Sequence, residues 1–233
     1  MTRIRLIVLL LLLSGFVIAQ ERQESVDSVA TDYLRAVENF SLLYNGNEQE
    51  MYPRITNHPY LIDNLYTKAR LSYRNIIYPE VLLRLDLHRN ELLVQSPSFR
   101  NIVLFPEDVD FAVMYGKQII YFKPDHLPGC PSTGYYILLY SGGCKIFEKR
   151  IAQMMEKTSP GLLERYFDYS TRYYLFKDGI YYSIKNKRGL LKALYPFKKE
   201  IKRFISSQKL NFRDDAEEFL ILTVNEYEKL SGI

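Results

Sequence analysis

A chain of 233 residues with 47% apolar content is long enough to bury one sizeable core. Its 31 Lys or Arg against 27 Asp or Glu leave a formal charge of only +4, a poor basis for work on nucleic acid. Three scattered histidines and two cysteines match no metal-ligand spacing, and the lack of Trp disfavours a stacking sugar-binding module.

The N-terminus begins with a short basic segment, Met1 to Arg5, followed by an apolar run from Leu6 to Leu13. Val17 and Ala19 then sit at the −3 and −1 positions of a small-residue cleavage site. This pattern predicts a signal peptide over residues 1–19, because the apolar run is short for a span of ~20 residues. The expected mature chain is exported, periplasmic or extracellular. Removing Arg3 and Arg5 leaves 29 basic and 27 acidic residues, a mature charge of +2. No second long apolar run follows, so residues 20–233 are expected as a single domain that does not span a membrane. Within it, a β-rich body occupies about residues 68–184 and a helical part about residues 186–230.

From Ser25 to Tyr44, Val26, Val29, Tyr33, Val37, Phe40 and Tyr44 recur at helical spacing between charged residues, predicting an amphipathic helix packed on a sheet. Asn45-Gly46-Asn47 stops it. Pro53, Asn57, His58 and Pro59 mark irregular structure. Lys68 to Tyr73 and Ile76 to Tyr78 then flank Arg74-Asn75 as a short hairpin.

From Leu83 onward the next stretch alternates apolar and polar, the period of a half-buried strand. A turn at Arg89-Asn90 pairs Leu87 with Leu92 and Leu85 with Val94. Leu83, Leu85, Leu87, Leu92 and Val94 then share one face, while Arg84, Asp86, His88, Glu91 and Gln95 form a solvent-facing polar face. Asn101 to Phe105 is a strand ended by Pro106. Asp108 to Tyr115 meets Gln118 to Phe122 across Gly116-Lys117, which puts Val113 opposite Ile120 and Phe111 opposite Phe122. This second hairpin is apolar on both faces, so something must cover each of them.

Leu43-Tyr44-Asn45-Gly46, His58-Pro59-Tyr60, Leu85-Asp86-Leu87 with Asn90-Glu91-Leu92-Leu93-Val94, and Tyr173 through Gly179 together resemble a family of uncharacterised exported proteins of Bacteroidota. The resemblance implies export and a β-rich body. It implies no activity.

Cys130 lies in a Pro-rich loop and Cys144 at the Gly142-Gly143 turn, where a disulfide is compatible with export but awkward in geometry. Tyr135 to Tyr140 and Lys145 to Arg150 flank that turn. Ser159-Pro160-Gly161 predicts a short helix through Phe167. Tyr173 to Lys177 and Ile180 to Ile184 flank Asp178-Gly179, a strong turn signal, with Phe176 opposite Tyr181 and Leu175 opposite Tyr182. Tyr135, Tyr136, Tyr140, Tyr173, Tyr174, Tyr181 and Tyr182 are the candidate binding residues, since tyrosine offers broad contact at low entropy cost. The competing reading is that tyrosine simply favours half-exposed strands.

Three helices follow, Arg188 to Leu194, Phe197 to Ser206 and Ala216 to Leu230, the last capped by Asp215. Between Lys185 and Arg213 there are ten Lys or Arg and one acid, Glu200. This face is read as solvated, with weak contact to anionic lipid as the alternative.

No nucleophile elbow, phosphate loop, dinucleotide fingerprint or metal motif is present. Asp108 and Asp110 on one strand read as surface charge rather than a catalytic pair. The expected fold is α+β: an antiparallel meander, as a curved sheet or partial barrel, with an N-terminal helix and C-terminal helices. The expected function is non-catalytic binding of a protein or glycan without a cofactor. The runner-up is a carrier of an apolar ligand inside the curved sheet. A hydrolase is the third reading, requiring a cleft where at least two of His58, Asp86, His88 and Glu91 converge.

Overall fold

In the computed structural model, residues 37, 41–52, 54–159 and 162–232 are described. The expected signal peptide and most of the expected N-terminal helix lie outside them; Val37 and Ser41 to Leu43 are helical. The chain divides into two units, residues 1–45 and 46–233.

The second unit is built on one antiparallel sheet of ten strands. In chain order these are β1 (Thr67–Tyr73), β2 (Ile76–Asp86), β3 (Glu91–Gln95), β4 (Asn101–Val103), β5 (Val109–Met114), β6 (Lys117–Phe122), β7 (Gly134–Ser141), β8 (Lys145–Ser159), β9 (Leu162–Lys177) and β10 (Ile180–Ile184). Helices α1 (Lys187–Ala193), α2 (Lys198–Ser207) and α3 (Ala216–Ser231) complete it. The spatial order is β10-β9-β8-β7-β6-β5-β1-β2-β3-β4. The architecture is therefore α+β, an open curved meander with C-terminal helices.

Two runs of neighbouring strands, β1 to β4 and β5 to β10, join by pairing β5 with β1 rather than β4. The polar groups near the β1–β2 turn explain this jump. Arg74 pairs with Asp108 at 2.7 Å, and Asp110 accepts the Ser72 hydroxyl (2.7 Å) and the Asn75 N–H (3.1 Å). Asp108 and Asp110 thus dock the start of β5 onto the β1–β2 turn.

Sidedness follows the sequence pattern while register shifts. In the first hairpin Leu85 pairs with Leu92 and Leu83 with Val94, two residues from the expected register. The shift has a local cause: Asp86 Oδ1 accepts the N–H groups of His88 and Arg89, both at 2.9 Å, so the turn spans Leu87 to Asn90. A shift by two keeps every side chain on its own face, and Leu83, Leu85, Leu92 and Val94 are all buried. The second hairpin shifts similarly, pairing Ala112 with Ile119 around Tyr115 and Gly116, both at positive φ. At Asp178-Gly179 the expected register holds, with Phe176 opposite Tyr181 and Leu175 opposite Tyr182.

Pro79 does not end a strand. It sits where β1 and β2 change register between Ala69 and Leu71, a bulge that tolerates its missing N–H. The expected helix through Phe167 is a strand instead. β8 and β9 form a long ladder running out to Ser159 opposite Leu162, and Tyr166, Phe167 and Tyr169 favour a pleated strand over a short helix.

Alternation along β8 and β9 sends side chains to two cores. Ile146, Leu175 and Cys144 pack beneath the helices with Leu190, Ile201, Phe219 and Val224. Phe147, Phe122, Tyr136 and Tyr181 form an aromatic cluster on the other face. Loop 123–133 crosses that cluster: Pro128 O accepts the Tyr181 N–H at 2.9 Å and Cys130 packs against it. The outer face at Phe122 is therefore covered by the chain's own β6–β7 loop. Cys130 and Cys144 are free and belong to opposite faces.

Candidate functional site

The segment 46–66 between the two units' boundary and β1 straps the sheet. It pairs with β4 at Glu48 opposite Ile102, and Asn101 O accepts the Gln49 N–H at 2.8 Å. It crosses the end of the first hairpin, where Tyr60 bridges Asp86 and Pro59 O accepts the Leu87 N–H. It also meets β9: Asn57 donates to Phe167 O (2.8 Å) and accepts the Phe167 N–H (2.7 Å). The Tyr169 hydroxyl donates to His58 O.

Asp86 is the anchor of this strap. It is 0% exposed. Besides the two turn N–H groups, its Oδ2 accepts the Tyr52 hydroxyl (2.6 Å) and the Gln49 amide (2.8 Å). The same Gln49 nitrogen reaches Glu91 Oε2 at 3.0 Å. Burial, then the bond to Asp86, pushes the Tyr52 phenol well above its ordinary range. The polar face expected to meet solvent is thus partly internal. Asp86 and Glu91 do converge, on Gln49, but Asp86 already receives four hydrogen bonds. His88 Nδ1 lies 3.1 Å from Ala152 O, with its ring 5.2 Å from that of Phe167. Asp86 and Glu91 thus tie the strap to the first hairpin, and His88 ties that hairpin's turn to β8.

A groove of about 710 Å³ opens between the strap and the β2–β4 side of the sheet. Arg84 on β2 forms part of its wall. Its guanidinium carbon lies 3.8 Å from the Tyr60 ring centroid and 4.3 Å from that of Tyr66, and Nη1 donates to Asn64 O at 2.9 Å. Such a double stack fixes a long side chain that would otherwise be free. Burial raises the Tyr66 phenol to about 12 against the opposing pull of Arg84. Five carboxamides, Gln49, Asn57, Asn64, Gln95 and Asn101, contribute to the lining. Met51 and Leu65, 86% and 71% exposed, stand at its rim.

A second groove of about 420 Å³ lies against β8, β9 and the start of α3. Arg150 bridges Glu148 and Glu217 at 2.8 Å each, and Lys117 pairs with Glu217. Glu148 is 1% exposed and its Oε2 has no partner. Burial raises its carboxyl above the ordinary range, with Arg150 pulling the other way.

The tyrosines singled out from sequence do not share one surface. Tyr136, Tyr174 and Tyr181 belong to the aromatic cluster. Tyr140, Tyr173 and Tyr182 pack under the helices. Tyr135 is buried with its ring 5.0 Å from that of Tyr121. The groove instead uses Tyr52, Tyr60 and Tyr66. Their signal was compositional: a loop rich in Tyr and Asn between Pro residues is the make-up of an adaptable binding segment.

Among the described residues no three His, Cys, Asp or Glu are placed to hold a metal. No helix there is long and apolar enough to cross a membrane. Comparison with protein-family models, curated proteins and solved structures finds no match to the chain.

Proposed function

We propose that the chain is an exported, non-catalytic binding protein whose ligand occupies the groove between the 46–66 strap and the β2–β4 side of the sheet. Export rests on the N-terminal basic and apolar segments and the Val17-to-Ala19 cleavage pattern. The observation that carries the binding reading is the preset wall: Arg84 is clamped by two rings and a carbonyl before any ligand arrives. A wall ordered in advance lowers the entropy cost of binding. The carboxamides of Asn64, Gln95 and Asn101 supply donors and acceptors, and the exposed Met51 and Leu65 supply apolar contact at the rim. The apolar-carrier reading is less well supported, because the chain's own loop covers the second hairpin's outer face at Phe122.

Peptide and glycan arrays probed with the mature chain test this reading. A hit should lose binding to Asn64→Ala and Asn101→Ala variants whose thermal unfolding is otherwise retained. Hits that bind both variants undiminished, or turnover of a bound compound, would overturn it.

A further inference from the structure

We infer that the ligand is a peptide with a free C-terminal carboxylate, received by Arg84; this rests on the groove being the binding site. Its lining contains no Asp or Glu, and Arg84 is its one permanently charged side chain. Among the described residues no carboxylate pairs with Arg84, whose Nη1 donates to Asn64 O at 2.9 Å. Its Nε is buried and has no acceptor. The buried Nε is not itself the contact; the guanidinium as a whole carries a charge that no acid of the lining offsets, and a carboxylate is the acceptor that a planar fork matches best. The nearest acids on the same hairpin are committed elsewhere: Asp86 to Gln49, Tyr52 and the turn, and Glu91 to Gln49.

The surroundings favour a peptide as the source of that carboxylate. The carboxamides of Gln95 and Asn101 match the alternating donors and acceptors of a peptide backbone. Met51 and Leu65 at the rim suit an apolar side chain, and Met adapts to several shapes. Capture of a terminal carboxylate is a recurring mode of peptide recognition.

The test uses acetylated tetrapeptides ending in Leu or Phe, each as free acid and as C-terminal amide, titrated calorimetrically into the mature chain. The acid should bind about ten- to a hundredfold more tightly than its amide, and Arg84→Lys should remove most of that difference. The acid–amide comparison uses unmodified protein, so a misfolded variant does not obscure it. Equal binding of acid and amide, abolished by Asn101→Ala, would overturn the carboxylate inference and leave the groove as the binding site. Binding of neither peptide, or of an oligogalacturonate in their place, would overturn the peptide assignment. Binding unaffected by both Arg84→Lys and Asn101→Ala would overturn the inference together with the groove.

Discussion

The Tyr52 hydroxyl donates to Asp86 Oδ2 at 2.6 Å, joining the strap to the end of a strand 34 residues away. Asp86 receives four hydrogen bonds while wholly buried, so its loss strands the Gln49 amide, the Tyr52 hydroxyl and two turn N–H groups. An unsatisfied buried polar group costs about 1–3 kcal/mol, and the four losses are not additive. Asp86→Ala should destabilise the chain by roughly 3 kcal/mol or more, and Tyr52→Phe by about 1–2 kcal/mol. Urea unfolding measures both; a near-neutral Asp86→Ala would mean that the strap does not depend on this carboxylate.

A second latch joins α3 to the β7–β8 turn. Glu228 accepts the Tyr140 hydroxyl at 2.7 Å and the Cys144 N–H at 2.6 Å. The bond to Glu228, then burial, lifts the Tyr140 phenol to about 12. A Cβ on Gly142 would lie 2.5 Å from Glu228 Oε2. Gly142→Ala should therefore push the carboxylate aside and cost about 1–2 kcal/mol, visible as a lowered melting temperature. In a Glu228→Ala background the same substitution should cost much less.

The second groove gives a pH dependence of definite sign. Glu148 has a raised pKa in the fold, so the folded chain holds that proton more tightly than the unfolded chain does. Its contribution to stability is full below the ordinary glutamate value of about 4.3 and is lost as pH rises through the raised folded value. Relative to Glu148→Gln, the natural chain should be most stable near pH 4 and lose ground toward neutrality. Denaturant unfolding across that range should show the decline; a constant difference would exclude Glu148 as its source.

The two thiols should differ in reactivity. Cys144 is 1% exposed, and burial, then Glu228, pushes its thiol up to about 11. Cys130 is partly exposed in the β6–β7 loop. Iodoacetamide at pH 8 should label Cys130 in the folded chain and reach Cys144 only after unfolding. Protection of both residues until a reductant is added would show a disulfide in place of free thiols.

Expression of the full 233-residue chain offers a separate check on export. Cleavage after Ala19 would place Gln20 at the N-terminus. Intact mass of the chain recovered outside the cytoplasm should match residues 20–233. Recovery of the uncleaved chain from the cytoplasm would count against export.

Much of the fold was legible because it is local. Alternation assigned the apolar face of the first hairpin, Asp178-Gly179 marked the β9–β10 turn in register, and Asp215 caps α3 by accepting the Glu218 N–H at 2.8 Å. The two-residue slip at Asp86 was hidden because it leaves every face unchanged; only the carboxylate's bonds to the turn reveal it. The long β8–β9 ladder was masked by Ser159-Pro160-Gly161, a sequence that serves a helix start or a turn equally well.

The candidate site was the least legible part. The sequence by itself determined most of the strands, the apolar face of the first hairpin, the Asp215 cap and a Tyr- and Asn-rich segment of irregular structure. It identified Arg84 only as one polar residue in an alternating strand. Only the tertiary structure brought β5 to β1, carried Asn57 to Phe167 across 110 residues, and packed the rings of Tyr60 and Tyr66 against Arg84. Periodicity and turn chemistry act over a few residues, whereas the environment of a charged side chain is set by whichever distant segments pack around it.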